Sequence, residues 1–259
     1  MPVPVNKVKA ALAAGERQMG LWIAMAHATS AEIASRAGFD WCLIDGEHAP
    51  NDVPMILDQV RAMSGGTATP AVRLPVGDPV LVKRVLDLGV QILVVPMINT
   101  VAEAEAMVRA TRYPPDGLRG VGAAMARSGG FGEITDVVTT ANEQVCLFVQ
   151  AETREAVENI EAIAAIDGID GIFMGPADLA ADMGFPGQPG APEVEAVVAD
   201  AIRRIKAAGK APGIIAFDAA KCAEWVKAGA TFVAVGGDVA ILARGIRAAA
   251  AAAEEMRGL

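Results

Sequence analysis

Eight short apolar runs recur along this chain, each followed by a stretch with helical spacing, and that alternation limits the fold more than any other feature. The runs are GLWIAMA (20–26), WCLID (41–45), PAVRL (70–74), QILVVPM (91–97), VCLFVQAE (145–152), GIFMG (171–175), PGIIAF (212–217) and TFVAVGG (231–237). Their length and β-branched content read as strands covered on both faces. Helical patterns fall at 30–37, 52–63, 78–88, 100–111, 153–165, 194–208, 218–228 and 238–257, after an extra helix at about 4–14. TSAE (29–32) and TVAE (100–103) match the capping box, and Gly38, Gly89, Gly209 and Gly229 stand at helix ends. The pattern predicts an α/β fold, a single (β/α)8 TIM barrel over 1–259. An open doubly wound sheet is the alternative, weakened because no GxGxxG follows the first strand.

Composition agrees with strands under alanine-rich helices: 53% of the 259 residues are hydrophobic and only 4% aromatic. The formal charge of −9 comes with no Lys/Arg stripe, which argues against nucleic acid or an anionic membrane as partner. No apolar run reaches the ~18 residues of a membrane span. Cys42, Cys146 and Cys222 are odd in number and lack a C-x-x-C, and no signal-peptide core precedes the first strand, so a cytoplasmic protein is expected. Two irregular stretches, 113–132 and 184–193, are long enough to be functional or to cover something.

Barrel enzymes place their chemistry at the C-terminal ends of the strands. Those ends deliver His27, then Asp45, Glu47 and His48, then Arg73, then Gln150 and Glu152, then Asp178 of GPAD, then Gly236, Gly237 and Asp238. Glu152 and Asp178, from neighbouring strands, suit a hard divalent cation that keeps open positions. They could equally serve as a helix cap and a first-turn residue. Asp45 and His48 could form a dyad in which the carboxylate fixes the imidazole tautomer, or His48 could bond to loop backbone. Arg73 is either an anion clamp or half of a core ion pair. Pro176 opens a helix whose free N–H groups at Ala177 and Asp178 could receive a carboxylate, and VGGD could cradle phosphate. Every lysine falls on a helix or at a helix end, which argues against an imine-forming aldolase.

In order along the chain, GLW, AGFDWCLIDGEHAPND, VPMINT, RYPPDGLRGVG, VQAET, DGIFMGPADLAADMG, GKAPGI and FVAVGGD strongly resemble the HpcH/HpaI aldolase family. The likeness is greatest to its branch of 4-hydroxy-2-oxo-heptane-1,7-dioate and 2-keto-3-deoxy sugar acid aldolases. The resemblance implies a metal-dependent class II aldolase that joins pyruvate, or a related 2-oxo acid, to an aldehyde and reverses that reaction. It implies that Glu152 and Asp178 hold Mg2+, Mn2+ or Co2+. His48 would be the acid/base residue oriented by Asp45, and Arg73 would meet the enolate oxygen. The Ala177 and Asp178 N–H groups would take the pyruvate carboxylate, with Gln150 and Trp22 lining the pocket. It further implies a hexamer, a trimer of dimers, whose last helix is exchanged between barrels or packs on its own. His27, Ala151, Phe217 and Asp218 depart from the branch pattern near the expected acceptor side. A citramalyl/malyl-CoA-type lyase and a non-catalytic 2-oxo acid binding barrel are the other readings.

Overall fold

The computed structural model describes residues 2–257, so Met1, Gly258 and Leu259, the ends of the expected 1–259 span, lie outside the described residues. Eight parallel strands close in chain order: β1 (Gln18–Ile23), β2 (Trp41–Asp45), β3 (Thr69–Arg73), β4 (Ile92–Val95), β5 (Cys146–Ala151), β6 (Gly171–Met174), β7 (Ala211–Ala216) and β8 (Phe232–Gly237). β8 pairs back onto β1, so the (β/α)8 barrel is closed and the open-sheet alternative falls. Helix α1 (Lys7–Ala13) precedes the barrel. The covering helices are α2 (Ala28–Ser35), α3 (Val53–Met63), α4 (Pro79–Asp87), α5 (Val101–Thr111), α6 (Val137–Gln144), α7 (Arg154–Glu158), α8 (Ile160–Ala164), α9 (Pro176–Asp182), α10 (Pro192–Ala207), α11 (Ala219–Ala228) and α12 (Asp238–Arg257).

Strand periodicity sorts the side chains into two cores. On β2, Cys42 and Ile44 face the helices, while Trp41 and Leu43 face the barrel axis. Large rings fill the axis despite the low aromatic content. Trp41 stacks on Phe232 at 3.8 Å between ring centroids, and Phe148 stacks on Phe232 at 4.4 Å. Glycines on adjoining strands make this room, because a Cβ at Gly20 would overlap the Trp41 ring and one at Gly171 the Phe148 ring. Helix α1 contributes Val8 to the same interior cluster. The same alternation puts Trp22, Asp45, Arg73 and Gln150 in the next inward layer, at the C-terminal ends. Asp45 lies opposite Arg73 across β2/β3, and Gln150 opposite Phe173 across β5/β6.

Three expectations about helices change. TSAE does not cap α2; His27 does, its Nδ1 accepting from the Thr29 N–H at 3.2 Å. Ser30, inside the helix, donates to Asp238 at 2.6 Å. TVAE, by contrast, forms the full capping box between Thr100 and Glu103. The pattern at 153–165 is two short helices meeting at Asn159, whose amide donates to the Asn99 carbonyl at 2.8 Å. Helix α6 was not expected. The three cysteines are free and buried, as small core residues should be.

Candidate active site

The mouth of the barrel holds a cavity of about 470 Å3. Trp22, Asp45, His48, Arg73, Gln150, Ala177 and Asp178 all line it, so strand position brings together seven of the eight expected site residues. The eighth, Glu152, lies just behind, 2% exposed.

At the centre is a buried ion-pair assembly. Arg73 donates from Nε to Asp45 Oδ1 at 2.9 Å and from Nη2 to Oδ2 at 2.6 Å. Its Nη1 meets Glu47 Oε2 at 2.8 Å. The Trp22 indole N–H donates to Asp45 Oδ2 at 3.1 Å, and its ring lies 4.9 Å from the guanidinium carbon. Two of the guanidinium's five N–H groups are therefore committed to Asp45, while the Glu47 contact is an ion pair without hydrogen-bond geometry, so both N–H groups of Nη1 and one of Nη2 are not hydrogen-bonded to protein among the described residues. Burial pushes the Asp45 carboxyl up, but the hydrogen bonds and charge of Arg73 outweigh it and hold the group below the ordinary carboxylate range. Glu47, with a weaker hold on Arg73, is pushed up by burial.

The expected Asp45–His48 dyad is corrected by this geometry. Asp45 Oδ1 accepts from the backbone N–H groups of Glu47 at 3.0 Å and His48 at 3.3 Å. It fixes the turn that carries His48, while the carboxylate itself is spent on Arg73 and Trp22. The His48 side chain is 66% exposed, with Nε2 4.0 Å from Glu47 Oε2. Glu47 is the residue sequence reasoning undervalued: it was named at the strand end but given no role. An acid following a strand whose neighbour delivers a buried arginine is the signal that points to it.

Glu152 is not a helix cap; Thr153 caps α7 instead. Glu152 continues the inward phase of Cys146, Phe148 and Gln150. Its Oε1 accepts from the Met97 N–H at 2.7 Å, with Met97 held in the left-handed region at φ 54°. A non-glycine residue there is strained, and such strain clusters at functional sites. Its Oε2 takes a close hydrogen bond from Gln150 Nε2. A side chain at Gly175 would collide with that oxygen. Burial drives the Glu152 carboxyl up to about 7, past the opposing Met97 and Gln150 hydrogen bonds, and the charges of Asp178 and Glu47 add to the rise.

This donor set fits a hard divalent cation. Among the described residues the Asp178 side chain makes no hydrogen bond, Gln150 Oε1 is buried without a partner, and Glu152 sits among like charges that a cation would relieve. No group of three His, Cys, Asp or Glu side chains placed to enclose a metal is found among the described residues. Two carboxylates would have to be completed by substrate or water oxygens. The phosphate reading of VGGD does not survive: the Asp238 carboxylate occupies that position, accepting from Ala24 N at 2.8 Å, Met25 N at 3.2 Å and Ser30 Oγ. No lysine lines the cavity; Lys210 reaches the Ile169 carbonyl ahead of β6, at the opposite end.

Comparison with known proteins points the same way. A family model described as HpcH/HpaI aldolase/citrate lyase matches residues 18–244. A hydroxypyruvate/pyruvate aldolase from Agrobacterium fabrum is 50% identical over 251 residues, 97% of this chain and 94% of that one. A 4-hydroxy-2-oxo-heptane-1,7-dioate aldolase from Klebsiella pneumoniae is 50% identical over 246 residues, 95% of this chain and 93% of that one. Among solved structures, an HpcH/HpaI aldolase/citrate lyase family protein from Burkholderia cenocepacia superposes with a TM-score of 0.92 at 41% identity, covering 98% of this chain and 100% of that one.

Proposed function

Because this chain belongs to the HpcH/HpaI aldolase/citrate lyase family and is a carbon–carbon lyase of the aldolase kind, we propose that residues 1–259 act as one class II aldolase domain. It adds the enolate of pyruvate, or of a related 2-oxo acid such as hydroxypyruvate, to an aldehyde, and cleaves 4-hydroxy-2-oxo acids in reverse. The observation that carries this reading is the buried Trp22–Asp45–Arg73–Glu47 assembly at a cavity that Asp178 also lines, with Glu152 just behind it.

The chain's residues divide the work. The Ala177 and Asp178 N–H groups, at the start of α9, receive the substrate carboxylate. Arg73 turns N–H groups not bonded to Asp45 to the keto oxygen, where negative charge grows as the enolate forms. His48 takes a proton from the carbon next to the carbonyl and returns one to the new alkoxide. Asp45 and Glu47 keep Arg73 from turning, and Asp45 also sets the turn under His48. Trp22 and Gln150 shape the pocket and hold water off the enolate face. Class II aldolases of this family depend on a metal; Glu152 and Asp178 would hold it here, as Mg2+, Mn2+ or Co2+. Bound there, it would acidify the substrate by Lewis-acid polarisation.

A CoA-ester lyase would need cations for the CoA phosphates, and among the described residues Arg73, already ion-paired, is the one Lys or Arg lining the mouth. We read the assembly as a homo-oligomer, a hexamer built as a trimer of dimers with α12 exchanged. Val239, Ile241, Leu242 and Ile246 of that helix are each 46–60% exposed, an apolar stripe that a second copy would cover. Among the described residues no helix is long and apolar enough to cross a membrane, and the free, buried cysteines support a cytoplasmic setting. Pyruvate release from a panel of 4-hydroxy-2-oxo acids tests the proposal. Turnover should vanish with EDTA and return with metal. No release from any of them, with any of the three metals, would contradict it.

A further inference from the structure

The long segment after α5 takes no part in this chemistry. It folds against the residues just before β4 and β5, at the N-terminal end of the barrel, and closes a separate cavity of about 330 Å3. Among the described residues two arginines line that cavity, Arg119 and Arg127, and no Asp or Glu does. Arg119 is 3% exposed. Its Nη2 reaches Asp87 Oδ1 behind the lining at 2.9 Å, and its guanidinium carbon lies 4.4 Å from the centre of the Tyr113 ring. Its Nε, the Tyr113 hydroxyl and the Ser128 hydroxyl are buried and have no hydrogen-bond partner among the described residues. Arg127 donates to the Leu88 carbonyl at 2.8 Å and to Ser64 Oγ at 3.2 Å, and no carboxylate answers its charge among those residues. Burial and the neighbouring charge of Arg61 both disfavour its protonated form.

A buried guanidinium nitrogen left unpaired costs free energy and calls for a missing partner. Water would serve the two hydroxyls. It would not balance the second cation, and in a chain of net charge −9 a carboxylate could readily have been supplied. We propose that this cavity is a binding site for a small oxyanion, phosphate or carboxylate, held between Arg119 and Arg127 with Ser128 as a further donor. The site is separate from the barrel mouth, because its residues precede the strands whose far ends form the active site.

Calorimetric titration of the full-length, metal-loaded protein in an anion-poor buffer tests this, with inorganic phosphate in one arm and succinate in the other. Tighter binding in either arm identifies the source of the oxyanion. Arg127→Gln should weaken binding by about ten- to a hundredfold, the loss of a charge-assisted contact, and leave pyruvate methyl exchange unchanged. Ser128→Ala, which removes only a hydroxyl, should weaken it by a smaller factor and gives a reading should Arg127→Gln fail to fold. Arg73→Gln should leave binding intact. Absence of binding in both arms would overturn the proposal. So would binding that survives both cavity substitutions and disappears with Arg73→Gln, which would put the ion in the mouth.

Discussion

Arg73 is held by structure and, in the proposed reaction, also meets the substrate. Two hydrogen bonds to Asp45 and the ion pair with Glu47 fix its guanidinium, and we propose that the N–H groups not bonded to Asp45 face the keto oxygen. Arg73→Lys keeps the charge but loses the fork, so kcat/KM for retro-aldol cleavage should fall about ten- to a hundredfold; unchanged kinetics would remove Arg73 from the chemistry. Glu152 gives a pH prediction. Its folded pKa of about 7 stands above the ordinary carboxyl value, so between those values the fold keeps a proton that the unfolded chain releases. Metal-free protein should lose stability as pH rises through that window. A divalent cation competes with the same proton, so the Tm gain on adding Mn2+ should grow between about pH 5 and pH 8. A gain independent of pH would contradict this, and Glu152→Gln should abolish the slope. The sequence showed which strand ends deliver these groups, because period two and the barrel rule fix that. It did not show that Asp45 would choose Arg73, a residue 28 positions away, over the nearby His48 ring. That choice depends on strand register and burial, neither of which is local.

At the scale of elements, capping decides how the mouth is framed. Asp238 at the start of α12 gathers the Ala24 and Met25 N–H groups and the Ser30 hydroxyl, pinning the loop that follows β1. Asp238→Ala would orphan those donors and should cost about 1–3 kcal/mol in urea unfolding. Thr100→Ala breaks the α5 capping box and should cost about 0.5–2 kcal/mol by the same measurement. Losses within error would mean water replaces either cap freely. TVAE was legible because both partners of its box lie within four residues. TSAE misled because α2 starts one residue before Thr29, at Ala28, so His27 takes the cap and Thr29 falls inside the helix. Helix α6 escaped notice because VVTTANEQ is mostly polar and weakly periodic; it is held by docking, with Gln144 Oε1 accepting from Asn6 N at 2.9 Å.

For the molecule as a whole, the fold followed from counting alternating segments. A barrel with so few aromatics fills its axis by stacking most of the strand-borne rings around Phe232. Phe232→Ala should cost about 3–5 kcal/mol by chemical denaturation, and a loss below 1 kcal/mol would mean that the axis repacks freely. That filled floor leaves the mouth to carry Arg73 and Asp178 on its lining with Glu152 just behind, and we propose that this arrangement makes an enolate. Proton exchange at the pyruvate methyl group in D2O, followed by NMR on EDTA-treated protein before and after adding Mg2+, Mn2+ or Co2+, tests it without any choice of aldehyde. Exchange should appear with metal and fall about 10²–10⁴-fold in His48→Ala, the usual contribution of a general base. Folded, metal-binding protein that exchanges no methyl protons with any of the three metals would contradict it.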